Sequence, residues 1–293
     1  ATAYKSQGRG GKGSSATKLK NDDFMENLFI ASTHDYLLFI TSEGKAYWMK
    51  VHEIPEANKT ARGTPIKTLL AISANEEISA VVALKEFTED KYLFMATGRG
   101  IVKKVKTIDF VNAKARGILA IKLNKGDRLI SALLSEGKNQ MVLISRKGSA
   151  LRFSEDVVRP MGRATRGVQG IRLTRDDELA GVLRVTEGEQ MLLLSEKGMG
   201  KRIEYDNFSS HGRATKGQIA YKVSERTGEL IGALSVKAED DLVCITSQGN
   251  IIRLDLKDVP VQGKTAMGVR IVNIIEPDIL VGMARIISER EED

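Results

Sequence analysis

Apolar and polar positions along this chain follow a pattern that restarts about every fifty residues. Each restart opens with a nearly unbroken apolar run, as in Tyr36-Leu-Leu-Phe-Ile, Met141-Val-Leu-Ile, Met191-Leu-Leu-Leu and Leu242-Val-Cys-Ile. Such a run predicts a strand covered on both faces. It ends in Ser/Thr-x-x-Gly, at Thr41 to Gly44, Thr97 to Gly100, Ser145 to Gly148, Ser195 to Gly198 and Thr246 to Gly249. A second strand follows, with an apolar residue five places past the glycine: Met49, Val105, Phe153, Ile203 and Leu254. A polar loop then leads to another glycine, Gly10, Gly63, Gly117, Gly167, Gly217 or Gly268. Beyond the last four of these, apolar residues alternate (Ile121 and Leu123, Ile171 and Leu173, Tyr221 and Val223, Val272 and Ile274), predicting a half-buried third strand. A fourth apolar stretch carries one small or short polar residue, at Asn27, Ser79, Ser131, Gly181, Gly232 and Gly282. Small side chains suit a place where strands from several units converge on a crowded axis. No stretch has a helical period.

One four-stranded sheet cannot bury its own faces, whereas neighbours around a ring can. The pattern therefore predicts an all-β fold, a closed six-bladed β-propeller-like ring of four-stranded units. The units span approximately 1–32, 33–85, 86–136, 137–186, 187–236 and 237–287, one domain with a short acidic tail at 288–293. Six loop glycines but five hairpin turns mean that the first unit lacks its hairpin. Ala1 to Asn21 and the last strand, around Ile279 to Ile286, are then expected as neighbours where the circle closes. An open solenoid or two three-unit sheets are the alternatives, and both expose apolar strand edges.

Composition adds little until charge is placed on the repeat. Hydrophobic residues make up 42% of the 293 positions, ample for a core, and the net charge is +7. The single cysteine, Cys244, excludes an internal disulfide, and there is no 18-residue apolar run and no signal peptide. A soluble intracellular protein with no membrane contact is the expectation. The start at Ala1 suggests a piece of something longer.

The cations recur at fixed places. Immediately before the loop glycine stand Arg9, Arg62, Arg116, Arg166, Lys216 and Met267. Four places before it stand Lys59, Arg163, Arg213 and Lys264, with Lys114 one place out of step. Four places past the hairpin glycine stand Lys104, Arg152, Arg202 and Arg253, with Trp48 in the first hairpin. Lys122, Arg172 and Lys222 lie five places past the loop glycine. With 45 Lys and Arg in 293 residues, any position is basic about one time in seven, so this recurrence points to function. Positive charge repeated around the outer edge of a ring suits a long polyanion better than a small molecule, and duplex DNA curved by many weak grips is the natural partner. Nothing in the loops looks like a base reader, so sequence preference is expected to be weak.

Gln7-Gly-Arg-Gly-Gly-Lys-Gly13 packs four glycines and two cations into seven residues. Glycines let a backbone approach phosphate closely, while Arg9 and Lys12 supply charge. It is not a nucleotide P-loop, because Lys12 is followed by Gly13 instead of Ser or Thr. The segment closely resembles the box Gln-Arg-Arg-Gly-Gly-Lys-Gly of the DNA gyrase A C-terminal domain. The repeats resemble that family's six-bladed β-pinwheel over essentially the whole chain. Gln7, Arg9, Gly10, Gly11, Lys12 and Gly13 keep the box, and Gly8 replaces its first arginine. The resemblance implies a monomeric, non-catalytic domain that wraps duplex DNA with positive writhe for the ATP-dependent negative supercoiling of a type II topoisomerase. It also implies the rest of gyrase A and gyrase B as partners, with ATP and Mg2+ on other parts of the enzyme and no cofactor here. The corresponding C-terminal domain of topoisomerase IV is similar but has an eroded box.

Catalysis finds no support in the residue pattern. His34, His52 and His211 have no metal-ligand spacing among themselves or with Cys244, and no Gly-x-Ser-x-Gly elbow occurs. A propeller-type scaffold for protein partners would explain the ring but not the repeated cations. A propeller hydrolase needs acids or histidines at the hub, where this repeat has Ser, Gly and aliphatics.

Overall fold

A computed structural model describes residues 6–7, 14–15, 32–55 and 66–287, the first four as backbone. Each apolar run is a strand between two partners, and the described residues form five such sheets, here blades I to V, in a propeller-like arrangement. Blade I joins Tyr36–Thr41, Lys45–Lys50, Ile78–Leu84 and Ile118–Leu119. Blade II joins Tyr92–Thr97, Ile101–Lys106, Leu129–Ser135 and Val168–Gln169. Blade III joins Gln140–Ser145, Ser149–Ser154, Leu179–Arg184 and Gln218–Ile219. Blade IV joins Gln190–Ser195, Met199–Ile203, Leu230–Val236 and Val269–Arg270. Blade V joins Asp241–Thr246, Asn250–Asp255 and Leu280–Ile286 with Ser14–Ser15 and Ser6–Gln7.

The hairpin motif explains itself locally. The hydroxyl of Thr41 accepts the Lys45 N–H at 3.3 Å, and Thr97, Ser145, Ser195 and Thr246 do the same in their turns. The side chain thus satisfies a donor that the tight turn would leave orphaned. The glycine must take a left-handed φ, +93° at Gly148, where an added Cβ would lie 2.1 Å from Tyr221 O. Gly148→Ala is therefore expected to cost about 3 kcal/mol in chemical denaturation, backbone strain and overpacking combined. Gly162→Ala, with nothing near its Cβ, should stay within about 0.5 kcal/mol.

The apolar runs of blades II to IV are buried on both faces because a blade lies on each side, whereas Leu37 and Phe39 of blade I are covered on the other face by Leu70 and Ile72. Leu38 and Ile40 of blade I pack with Leu93 and Met95 of blade II, and matching clusters fill the later gaps. Each such side chain contributes about 1.5–3 kcal/mol of burial. The small-residue strands lie innermost. Ser79, Ser131, Gly181, Gly232 and Gly282 line a central cavity of about 420 Å3, and Ser79 Oγ donates to Leu129 O of the next blade at 2.6 Å.

Three expectations need correction. The third strand is not the alternating stretch at Ile121 and Leu123. The paired stretch is the two residues right after the loop glycine, and it belongs to the preceding blade: Ile118 pairs with Ala46, and Val168 with Val102. Chain direction then changes because Ala120 and Ile121 both donate to Gly44 O, which turns Ile121 into the core between blades I and II. Second, the described N-terminal residues share a sheet with the last strand but do not pair with it. Ser14–Ser15 and Ser6–Gln7 pair with Asn250–Asp255, on the opposite edge of blade V from Leu280–Ile286. Third, these pairings move the register of the first unit. Ser14 faces Ile251 as Val269 faces Gly200, and Ser6 faces Arg253 in parallel as Val261 faces Arg202. The counterpart of Gly167, Gly217 and Gly268 is therefore Gly13, not Gly10. Helical structure is confined to short 3-10 turns and the single turn Ile66–Leu69 among the described residues. Asn27, Lys59, Arg62, Gly63, the tail 288–293 and all of the box except the Gln7 backbone lie outside the described residues.

Candidate nucleic-acid interface

Gly117, Gly167, Gly217 and Gly268 each sit where the chain reaches the outer edge of a blade and its two-residue strand docks beside a hairpin turn. The cations near it divide into three kinds by what they touch. Arg116, Arg166 and Lys216, immediately before the glycine, are exposed and have no side-chain partner among the described residues. Lys122, Arg172 and Lys222 are exposed in the same way. Their backbones come close to the neighbouring loop, since Lys122 N donates to Thr165 O and Arg172 N to Thr215 O. The outer edges of blades II and III thus each carry unpaired cations from two successive units, Lys122 with Arg166 and Arg172 with Lys216.

The cations four places before the glycine are half-buried and stitch the edge together. Arg163 Nη1 donates to Leu119 O at 3.1 Å, and Arg213 Nη1 to Gln169 O at 3.2 Å. Lys264 donates to Gln218 Oε1 and lies 5.1 Å over the Phe208 ring. Lys114 is exposed, with φ +45°. With Gly13 as the true counterpart, Arg9 and Lys12 fall on these two positions. Gly8-Arg9-Gly-Gly-Lys12-Gly13 then aligns with Gly162-Arg163-Ala-Thr-Arg166-Gly167, Gly212-Arg213-Ala-Thr-Lys216-Gly217 and Gly263-Lys264-Thr-Ala-Met267-Gly268.

The third kind corrects the sequence reading. Lys104 and Arg202 are 2% and 7% exposed, and neither faces solvent as a phosphate ligand would. Lys104 pairs with buried Glu155 at 3.3 Å and lies 4.9 Å over Tyr92. Arg202 Nε donates to Val259 O at 2.8 Å and Arg152 Nη1 to Tyr205 O at 3.1 Å. Trp48 Nε1 does the same in blade I, to Phe110 O and Val111 O at 3.1 Å. In blades I to IV the position is a donor that staples one blade to the next, which is why an indole can replace a cation there. Arg253 pairs with Asp241 within its own blade at 2.7 Å. The physical reason is pleat direction: this residue points across to the following blade.

Two functional candidates escaped the sequence reading. Lys103 and Lys201 are fully buried, and burial lowers both ammonium groups to about 8, with the Arg163 charge adding to the effect on Lys103. Both donate into the basic loops from below. The available signal was the pair of adjacent cations, Lys103-Lys104 and Lys201-Arg202, inside strands that otherwise admit one polar face.

Comparison with known proteins matches this architecture to the family described as "DNA gyrase C-terminal domain, beta-propeller", over residues 1–32, 35–85, 91–136, 139–186, 189–237 and 240–287. DNA gyrase A of Treponema pallidum (strain Nichols) is 58% identical over 283 residues, 97% of this chain and 35% of that protein. DNA gyrase A of Salmonella typhimurium is 40% identical over 285 residues, 97% of this chain and 32% of that protein. The chain therefore spans about a third of the length of these relatives. A solved structure of a DNA gyrase A C-terminal domain superposes with a TM-score of 0.87 at 32% identity, covering 98% of this chain and 94% of that one. A DNA topoisomerase IV C-terminal domain shares the fold, with a TM-score of 0.76 at 23% identity over 86% and 79%. Matched in all six segments, and alike in fold over nearly its whole length, the chain belongs to the DNA gyrase C-terminal domain, beta-propeller family.

Proposed function

We propose that this chain binds duplex DNA along the outer edge of a closed six-bladed ring and curves it. The sixth unit is the family repeat matched at residues 1–32, and the clusters holding Val243 and Ile245 in blade V and Leu37 and Phe39 in blade I are the apolar faces left for it. The family repeat matched at 1–32 and the apolar faces of blades I and V support that closure. The observation that carries the DNA reading is the recurrence of exposed cations, unpaired among the described residues, along successive outer edges: Arg116, Lys122 beside the Arg166 loop, Arg172 beside the Lys216 loop, and Lys222. Phosphates along a bent duplex meet such a series in succession. Curving DNA around half of such a rim costs on the order of 10 kcal/mol, which several units must offset together. The relatives' name, DNA gyrase, supports the same reading.

In a complete enzyme, the wrapped segment carries positive writhe to a strand-passage gate formed by the rest of gyrase A and by gyrase B. ATP and Mg2+ act there, and negative supercoiling follows in the cytoplasm. Lys59 and Arg62 hold the same repeat positions in the sequence of the second unit, and Arg9 and Lys12 in that of the first, where the box adds glycines. The test is ligation of nicked circles in the presence of the 293-residue chain. Wild type shifts the topoisomer distribution to positive linking number, and Arg9→Ala with Lys12→Ala removes that shift while binding persists. Unchanged topoisomers with wild type would sink the wrapping proposal.

A further inference from the structure

The loops Gly162 to Gly167 and Gly212 to Gly217 share the sequence Gly-Arg-Ala-Thr-(Arg/Lys)-Gly, yet they fold differently. In the second, Ala214 takes a left-handed φ of +62° and its N–H donates to Gly170 O at 2.6 Å. In the first, Ala164 is not left-handed, and its N–H has no acceptor among the described residues. The carbonyl equivalent to Gly170 O is Ala120 O, and it is occupied by Lys103 Nζ at 2.9 Å. Lys103 also donates to Arg163 O at 2.6 Å and Thr165 O at 3.0 Å, which saturates the ammonium without any carboxylate. Under the other loop the corresponding residue is Leu151, three places past its hairpin glycine as Lys103 is past Gly100.

Blade IV repeats the arrangement. Lys201 donates to Gly263 O, Lys264 O and Ala266 O at 2.6, 3.0 and 2.8 Å, and the Thr265 N–H has no acceptor among the described residues. Both lysines take the carbonyls four and two places before the loop glycine. The fold does not require an ammonium at this position, since blades III and V have Leu151 and Ile252 there. A buried ammonium with a lowered pKa also opposes folding: the unfolded chain holds the proton more tightly, so the associated stability is present at high pH and lost as pH falls through about 8. Something other than stability accounts for it.

We infer that Lys103 and Lys201 are positioning residues for DNA, drawing loop carbonyls inward so that the N–H groups of Ala164 and Thr265 are left as donors for backbone phosphates. Neither lysine touches the duplex. Each acts by fixing which way the peptide groups of its loop point, and the loop presents both an amide and, in blade II, the Arg166 side chain to the same polyanion. In blade IV, where Met267 replaces the cation, the amide is the contact that remains.

This inference rests on the DNA-binding reading, and one set of measurements separates the two. The 293-residue chain labelled with 15N is titrated with a duplex of about 40 base pairs, comparing wild type with Lys103→Leu plus Lys201→Leu, which copies blade III. The Ala164 and Thr265 amides of wild type should shift on binding while Ala214 moves little. The double variant should melt within a few degrees of wild type, bind about tenfold more weakly through loss of two charge-stabilised amide contacts, and lose both shifts. Should the variant fail to fold, the wild-type amide shifts decide. Unmoved Ala164 and Thr265 amides, or equal affinity of a folded variant, would overturn the role of the lysines alone. A wild-type chain that binds no duplex would overturn the DNA reading itself.

Discussion

Replacing Arg116, Arg166 and Lys216 together by alanine should weaken duplex binding about 500-fold at roughly 0.1 M salt and flatten its salt dependence. The three side chains are exposed and hold no partner among the described residues that the substitution could strand, so the effect is confined to the polyanion. Each cation that neutralises a phosphate adds a slope of about −0.9 to log affinity against log salt, and three remove about 2.7. At 0.1 M that difference amounts to the stated loss. The measurement is a series of binding isotherms between about 0.05 and 0.4 M salt. A slope that changes by less than one would mean that these residues do not meet phosphates. Thermal stability should be unchanged, since exposed, unpaired side chains contribute little.

Lys104→Met should show the opposite profile. Its ammonium is 3.3 Å from Glu155 Oε1, with side-chain exposures of 3% and 0%. Removing the cation leaves the carboxylate buried with only the Ser135 hydroxyl and the Asn139 N–H, each at 2.9 Å. Breaking such a pair from one side costs about 3–5 kcal/mol, because the remaining charge cannot be rehydrated. Urea denaturation should show that loss, while DNA affinity per folded molecule and its salt slope stay as in wild type. Adding Glu155→Gln, which removes the stranded charge, should recover part of the stability. A Lys104→Met chain of normal stability with weakened DNA binding would return Lys104 to the DNA-contacting set and discredit the staple.

These two variants separate residues that look alike in one dimension. Lys104 and Arg116 both recur with the period and both count toward a basic edge. One ends against the next blade and the other ends in solvent. Trp48, out of place in a series of cations, was the local sign that this position needs a hydrogen-bond donor, and a charge only incidentally. The strand ending at Gln169 shows a similar limit. Its sequence does not say which sheet it joins, because a two-residue pairing carries almost no pattern of its own. The register of the box failed for the same reason: Gly10 and Gly13 are equally good glycines until Ser6 and Ser14 are seen paired to Arg253 and Ile251.

Periodicity, hairpin chemistry, the crowded axis and the concentration of cations near the loop glycines were all readable from residue order, since each arises from neighbours within a few positions or from their repetition. The donation of outer strands between blades, the split of cations into free ligands, stitches and staples, and the conformational choice made by Lys103 against Leu151 arose only when blades were set side by side. Contacts between units about fifty residues apart obey the geometry of the ring, and a charge acquires its role from where its side chain ends.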